Sequence, residues 1–483
     1  MSPGVLDNSG IVTVHSVDRS LTVQRRVGRQ MLNEIVEQVD ADGHGRTARR
    51  IAAVIGRLIT NGTLIVGSRL PTVRELSQAL GVSPTTVSAA WRSLADVGAI
   101  EAKGRNGTVV RSPTGRGGPR RFRRVTEGPG HFALDLSSGT PDPELLPDLG
   151  PVIARVSRQS LTSSYLDHPV LPELEELLRD SWPFAPEYLT VVNGAMDALD
   201  RVSQQVLRLG DRVVVEHPCF PPLLDLLEQL GCDVIGVDLD DEGLCVEGLV
   251  AALAQSPRAL FLQPRAHNPT GVTMSARRAA QLARALGGSS TMIIEDDHTN
   301  EISTTPLVSL GSWLPDRTVH LRSFSKSHGP DLRLAGIGGA GDIVSRVANR
   351  RLLGPGWSSR ILQALLIQLL CDPATPAALA TARRTYAHRR AIVAKVLASH
   401  GVTVNGVDGI NLWMQVDDER SAMVDLAARG IGVAPGEPFL VRPDDDHVRV
   451  TVGLIRGSDD HVADVAEQLA AAAGGVDVRT GHR

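Results

Sequence analysis

The amino-acid sequence predicts an α/β protein in which a small helical domain precedes a larger domain with a mostly parallel sheet. From residue 134 onward, short β-branched runs such as Leu189–Val192, Ala259–Leu262 and Met292–Ile294 alternate with helical stretches, a pattern typical of parallel sheets covered by helices. Residues 46 to 110 instead combine helical apolar spacing with a final hairpin pattern. Residues 111 to 133 are rich in glycine, proline and arginine, and 483 residues are too many for one core.

The bulk composition excludes several classes of protein. A net charge of −4 means that any contact with nucleic acid must come from a locally basic part of the chain. The four cysteines have no CxxC spacing, which argues against a disulfide framework and a structural zinc site. The N-terminus lacks a basic and apolar leader, and no apolar run is long enough to span a bilayer. We therefore expect a cytoplasmic protein without a metal or a membrane partner.

The domain at residues 46–110 has the pattern of a winged helix-turn-helix. Apolar residues from Ile51 to Ile59 recur at helical spacing, and a second short helix is predicted from about Thr72 to Leu80. A third helix begins at Ser83 and Pro84, since serine caps helices and proline suits the first helical position. Two short strands around a glycine-containing turn at residues 104–107 form the wing.

This domain contains candidate contacts to double-stranded DNA. In a helix-turn-helix the second helix of the motif enters the major groove, and the wing and neighbouring basic residues meet the phosphates. The third predicted helix offers base contacts, Arg74 precedes it, and two basic residues lie on the wing. The predicted DNA-binding residues are Arg74, Thr85, Thr86, Ser88, Arg92, Lys103 and Arg105. The alternative is a helical appendage used for docking, whose charges are solvated.

The same segment closely resembles the winged helix-turn-helix of the GntR superfamily. The resemblance rests on Gly67-Ser68-Arg69-Leu70-Pro71-Thr72-Val73-Arg74-Glu75-Leu76, then Leu80-Gly81-Val82-Ser83, then Leu94 and Gly98. Family members often carry arginine where this chain has Pro84 and Ser88. The departure concerns the base contacts and leaves the fold expectation unchanged.

The larger domain contains the groups that pyridoxal 5'-phosphate requires. Lys326 supplies an amine for the aldehyde, and Asp296, after an apolar strand, supplies a carboxylate for the ring nitrogen. The turn at Gly194 and Ala195 opens a helix whose N–H groups suit a phosphate. Ser323 and Arg333 add phosphate contacts, and Phe220 supplies an aromatic face. Each motif alone is more often a surface loop or a core residue, so the prediction depends on their joint occurrence.

The order of these motifs resembles a fold-type I aminotransferase over residues 134 to 475. That resemblance implies that Lys326 forms the Schiff base, Asp296 pairs with the pyridinium, Asn268 bonds the ring hydroxyl and Phe220 stacks on the ring. It also implies that Arg449 binds a substrate or effector carboxylate. Tyr165 would reach in from a second subunit. The chain departs from the family pattern at His298, where relatives carry a tyrosine, and in the stretch 165–169, which lacks a usual glycine.

A GntR-like domain joined by a basic linker to an aminotransferase-like domain resembles the MocR subfamily of transcription regulators. The resemblance implies a homodimer that binds an operator, with pyridoxal phosphate or an amino compound reacting with it as the effector. Residues 1–45 are expected to be an extension with partial disorder, residues 111–133 an extended and mobile linker, and residues 476–483 a tail. Two alternatives stay open: an active aminotransferase acting on an amino acid, and a dimerisation scaffold with an empty site.

Overall fold

The computed structural model describes most of the chain. The residues described are 15–41, 45–60, 63–96, 99–102, 107–110, 119–126, 132–158 and 164–474. They divide into two compact units near residue 117.

The first unit is a bundle of helices followed by a small hairpin. Its elements are α1 (His15–Ala41), α2 (Ala48–Thr60), α3 (Val73–Leu80), α4 (Pro84–Asp96), β1 (Ile100–Ala102) and β2 (Thr108–Val110). The apolar positions of α2, α3 and α4 are buried, among them Ile55, Leu76, Val87 and Leu94. β1 and β2 pair antiparallel with Glu101 opposite Val109. The predicted winged helix-turn-helix is confirmed in its order of elements.

The start of α3 shows why the helix begins where the sequence predicts. The Thr72 hydroxyl accepts from the backbone N–H of Glu75 at 3.2 Å, and the Glu75 carboxylate accepts from the N–H of Thr72 at 2.8 Å. This reciprocal capping box satisfies two N–H groups that the helix itself leaves unpaired. At the other end Gly81 adopts φ +63°, a conformation that glycine reaches without strain.

The segment 1–45, for which the sequence predicts partial disorder, contains a long helix in the structure. Residues His15–Ala41 form α1, and Ile35 and Val39 near its end are buried against the other helices of the unit. These two apolar residues, four apart, lie on one face of the helix. Residues 1–14 lie outside the described residues.

The linker also differs from its prediction. Residues Arg120–Thr126 form a short helix, α5, within the second unit, where the sequence predicts no packed element. The run contains neither glycine nor proline, and its Val125 is buried. The glycine-rich parts of the predicted linker, at residues 111–118 and 127–131, lie outside the described residues. After α5 the chain enters β3 (Leu134–Asp135).

A sheet of eight strands forms the centre of the second unit. The strands are β4 (Tyr188–Val192), β5 (Arg212–His217), β6 (Asp233–Asp240), β7 (Gly243–Leu244), β8 (Ala259–Leu262), β9 (Met292–Asp297), β10 (Thr318–Ser323) and β11 (Ala335–Gly339), in the order β4-β11-β10-β9-β8-β5-β6-β7. The five strands β10, β9, β8, β5 and β6 run parallel, while β11 is antiparallel to both neighbours. The predicted mostly parallel sheet is confirmed.

Helices cover this sheet, and further helices lead to a smaller subdomain. They are α6 (Leu149–Val156), α7 (Pro172–Asp180), α8 (Ala195–Val206), α9 (Pro221–Gln229), α10 (Val246–Leu253), α11 (Ala276–Leu286), α12 (Gly341–Leu352), α13 (Arg360–Cys371) and α14 (Thr375–Ser399). α10 and α11 share an apolar cluster with β5, β8 and β9, whereas α7 and α13 share one with β4. Both clusters bury side chains that would otherwise face water, which is the main stabilising contribution here.

The smaller subdomain contributes one wall of the candidate site. It contains β12 (Leu412–Gln415), α15 (Glu419–Ala428), β13 (Ile431–Gly432), β14 (Ala434–Pro435), β15 (His447–Val450) and α16 (Asp459–Ala472). β15 pairs antiparallel with β12 and β14, so that Arg449 lies opposite both Trp413 and Ala434. Among the described residues, no single helix is long and apolar enough to cross a bilayer. The pair α13 and α14, bent by 81°, passes that test jointly by length and composition only.

Candidate functional site

The predicted site residues follow neighbouring parallel strands. Phe220 lies after β5, Asp296 near the end of β9 and Lys326 after β10, and Gln263 follows β8 between them. Because β10, β9, β8 and β5 are adjacent and parallel, their carboxyl ends meet along one edge of the sheet. This edge is where open α/β sheets bind ligands.

Lys326 is held in a setting that lowers the pKa of its amine. Burial removes hydration from the ammonium group, and the nearby Arg449 opposes a second positive charge, so that the pKa of Lys326 falls to about 8. Its Nζ lies 2.9 Å from Nδ1 of His298. Burial also lowers the pKa of His298 well below its ordinary value, so the imidazole beside Lys326 is neutral.

Asp296 presents one carboxylate oxygen without a partner. Its Oδ2 accepts from Nε2 of Gln263 at 3.0 Å, whereas the buried Oδ1 has no hydrogen-bond partner among the described residues. Burial raises the pKa of Asp296 to about 6, although Gln263 and Lys326 act in the opposite direction. An unpaired buried oxygen is unfavourable, and a protonated ring nitrogen would satisfy it.

A small cavity lined mostly by aromatic and apolar side chains lies beside Asp296. Phe220, Gln263 and Asp296 line it together with the apolar side chains of Leu199, Phe261 and Ile294. Phe220 supplies an aromatic face and Asp296 a carboxylate within the same cavity. The combination matches what a pyridinium ring requires.

The phosphate prediction concerns the turn between β4 and α8. Gly194 has φ +95° and precedes α8, whose first N–H groups have no side-chain cap. A Cβ added at Gly194 would lie 3.1 Å from the Arg333 guanidinium, so only glycine leaves this space open. Arg333 donates to the carbonyl of Asn193 at 3.4 Å, and Ser323 is buried at the end of β10. The turn, the helix start and the guanidinium together form a site suited to a dianion.

Arg449 lies at the opposite side, on β15. It is buried, donates to the carbonyl oxygen of Ser137 and has an Nε without a partner among the described residues. Its guanidinium carbon lies 5.4 Å from the Phe439 ring centroid, and burial lowers the pKa of Arg449 to about 10. A Cβ on Gly139, at φ +65°, would come within 2.9 Å of this guanidinium. A carboxylate ligand would neutralise the buried charge.

Two residues that sequence reasoning missed connect these parts. Gln263 accepts from the backbone N–H of Asn268 at 2.7 Å while it donates to Asp296. Asn411 donates to the Asn268 side chain at 3.3 Å and accepts from Thr451 at 3.1 Å. A polar residue directly after an apolar strand was the available signal for Gln263. Nothing in the sequence distinguishes Asn411, whose partners come from distant segments.

Tyr165 lies on the surface of this chain. Its side chain is 89% exposed, and its ring centroid is 6.0 Å from that of Trp357. That Tyr165 completes the pocket of a second subunit stays a prediction, because the structure describes one chain.

Five of the seven predicted DNA-binding residues lie among the described residues. Arg74 on α3, and Thr85 and Arg92 on α4, are exposed, while Thr86 and Ser88 are half-buried. The hydroxyls of Thr85 and Thr86 lie 2.6 and 2.8 Å from the Ser83 hydroxyl at the start of α4. Lys103 and Arg105 lie outside the described residues. α4 thus presents a polar surface. The hydroxyls in its first turn also form hydrogen bonds with Ser83, which precedes the helix.

The residues around Lys326 fit pyridoxal phosphate, which supplies an electron-accepting ring when bound. Lys326 would hold its aldehyde carbon, Asp296 its ring nitrogen, Asn268 its hydroxyl, and Gly194, Ala195, Ser323 and Arg333 its phosphate. The unpartnered Oδ1 of Asp296 and the open space at Gly194 are the observations that carry this fit.

Comparisons with known proteins agree with both halves of the chain. Residues 47–110 match the family of bacterial regulatory proteins of the GntR type, and residues 133–467 match aminotransferase class I and II. The chain is similar in fold to LysN, an α-aminoadipate aminotransferase from Thermus thermophilus, with 21% identity and a TM-score of 0.67. That match covers 75% of this chain and 96% of the other.

Two transcriptional regulators match most of this chain over most of their own length. The vitamin B6 salvage pathway transcriptional repressor PtsJ of Salmonella typhimurium is 37% identical over 86% of this chain and 96% of its own length. The pyridoxine biosynthesis transcriptional regulator PdxR of Corynebacterium glutamicum is 28% identical over 78% and 85%. The predicted cofactor and regulatory function are confirmed at this level. The chain belongs to the family of helix-turn-helix transcriptional regulators in which a GntR-type DNA-binding domain is joined to an aminotransferase class I and II domain that binds pyridoxal phosphate.

Proposed function

We propose that this protein controls transcription of vitamin B6 genes and that pyridoxal phosphate, joined to Lys326, is its effector. The single observation that carries the proposal is the pairing of a partly buried, readily deprotonated Lys326 with the unpartnered Oδ1 of Asp296 in one site. The names of the relatives PtsJ and PdxR support the choice of pathway. The sign of regulation depends on which state of the protein binds the operator better.

A homodimer is part of the proposal. Exposed apolar side chains lie on the Tyr165 loop and on the segment around Trp357, with which Tyr165 is in contact: Tyr165, Leu166, Leu352, Leu353 and Ile361. Arg360 fixes this loop by donating to the carbonyls of Ser164, Asp167 and His168, while its guanidinium stacks on Trp357 at 4.3 Å. An ordered apolar surface of this kind favours burial against a second copy. Two DNA-binding units would then recognise paired half-sites.

The test is ligand-dependent DNA retention. Duplexes selected from a random pool by the full-length protein would be titrated by fluorescence anisotropy, with and without pyridoxal phosphate. Wild type should change its affinity when the cofactor is added, and Lys326→Ala should not. Arg92→Ala should weaken binding in both states, because it acts on the DNA side. Equal wild-type affinities in both conditions would exclude the cofactor as effector.

An active aminotransferase is the second candidate. Lys326, Asp296 and Arg449 occupy one site, which is the set that an amino acid substrate needs. Release of keto acid over many turnovers, from an amino donor and a keto acid acceptor, would support this candidate. A single half-reaction that stops at one equivalent would support the regulator.

A further inference from the structure

The helix α5 in the predicted linker is fastened to the aminotransferase-like unit by specific contacts. The Asp225 carboxylate on α9 accepts from the backbone N–H groups of Arg121 and Phe122 at 3.1 and 3.0 Å. The Arg121 guanidinium donates to the carbonyls of Pro438 and Leu440 at 3.2 and 2.8 Å. These contacts are stronger than neutral hydrogen bonds because one partner in each is charged.

The segment that Arg121 holds also packs against Arg449. Pro438 and Leu440 flank Phe439, so both neighbours of this residue are tied to α5. The Phe439 ring lies beneath Arg449, and the Phe439 carbonyl accepts from the N–H of Cys219 at 2.8 Å.

The apolar contact of α5 reaches the same place. Val125 is buried in a cluster with Trp413, Ala434 and Phe439. Trp413 and Ala434 are the residues that lie opposite Arg449 across the strands β12 and β14. Val125 therefore packs against the immediate neighbours of Arg449, and Arg121 holds the backbone on either side of Phe439.

We propose that α5 positions Arg449 through Phe439, so that docking of the linker helix and binding of a carboxylate ligand at Arg449 reinforce each other. The proposal rests on the proposed function in one respect, which is that Arg449 receives a carboxylate. Coupling of this kind is reciprocal: whatever α5 adds to ligand affinity, the ligand adds to α5 docking. The fraction of α5 that is docked would thus depend on whether the carboxylate site is occupied, independently of cofactor attachment.

The test uses the full-length protein loaded with pyridoxal phosphate and maleate as the carboxylate probe, with its diamide as the neutral control. Maleate binding would be followed by the visible absorbance of the bound cofactor. Arg121→Gln and Val125→Ala should each raise the Kd of maleate by about fivefold or more. Arg120→Gln removes an exposed charge from the same helix and should leave the Kd unchanged. Cofactor affinity should be unaltered in all three variants.

A second readout separates positioning from a general loss of structure. Hydrogen exchange of the α5 backbone should slow when maleate is added to wild type, and should not respond in Arg449→Gln. An unchanged maleate Kd in both Arg121→Gln and Val125→Ala would overturn the coupling. So would a parallel loss of maleate and cofactor binding. If Arg449→Gln itself bound maleate normally, the carboxylate assignment within the proposed function would fail instead.

Discussion

Capture of pyridoxal phosphate by Lys326 should depend on pH with a midpoint near 8. Burial and Arg449 lower the pKa of this lysine from 10.5 to about 8. At pH 7 a lysine of pKa 8 is neutral in about 9% of molecules, compared with about 0.03% for an ordinary lysine. The neutral amine, which alone can attack an aldehyde, is therefore about 300-fold more abundant than in a free side chain.

Rapid mixing of the cofactor-free protein with pyridoxal phosphate would measure this effect. The rate constant, followed by the absorbance of the lysine-bound cofactor, should rise about tenfold per pH unit below the midpoint and level off above it. N-α-acetyl-lysine in the same buffers provides the reference, because it divides out the ionisations of the cofactor itself. A rate that rises in parallel with acetyl-lysine up to its ordinary pKa would refute the reasoning.

The contribution of Arg449 can be isolated in the same assay. Arg449→Gln removes a positive charge that opposes protonation of Lys326, so the midpoint should move to higher pH and capture at pH 7 should slow. Arg442→Gln removes an exposed arginine that pairs with Asp238, and the midpoint should stay at the wild-type value. Equal midpoints in Arg449→Gln and wild type would show that burial alone lowers the pKa.

Three further substitutions, one of them with a matched control, test other parts of the molecule. Gly194→Ala should weaken pyridoxal phosphate binding at least about tenfold in a fluorescence titration, since it strains the backbone and crowds Arg333. The control is Gly401→Ala, at φ +76° in open space. This variant should keep its affinity for the cofactor while losing about 1 kcal/mol of folding stability. Asp296→Asn should weaken the cofactor by about 1.5–3 kcal/mol in the same titration, and normal affinity would contradict the ring-nitrogen role. Leu94→Ala should destabilise the first unit by about 2–5 kcal/mol and abolish DNA binding, while the cofactor absorbance band persists.

Features fixed by local chemistry were predictable from the sequence. Thr72 and Glu75 form the capping box, and the apolar run Met292–Ile294 begins the strand that carries Asp296, so each feature occupies only a few consecutive residues. The candidate site was predictable for a related reason. Parallel strands bring their carboxyl ends together, and polar residues such as Asp296 and Lys326 that follow such strands meet without further information.

Features fixed by distant partners were not predictable. α5 depends on Asp225, which lies 104 residues from Arg121, and on the Pro438 carbonyl, which lies 317 residues away. A short arginine-rich run between glycines has no local reason to fold, because isolated helices of this length are unstable in water. Asn411 was missed for the same reason, because its role depends on hydrogen bonds with Asn268 and Thr451, which are distant in sequence.

The amide of Gln263 determines where a proton can reside in this site. The backbone N–H of Asn268 can only donate, so the Gln263 oxygen must face it and the Gln263 NH₂ must face Asp296. Oδ2 of Asp296 therefore always accepts, and any proton on this carboxyl must sit on Oδ1. A ring nitrogen that meets Oδ1 finds a donor when Asp296 is protonated and an acceptor when it is not. In either case one proton is shared between Oδ1 and the ring nitrogen. Because Gln263 leaves Oδ1 free to donate or to accept, this hydrogen bond forms whether the proton comes from Asp296 or from the ring.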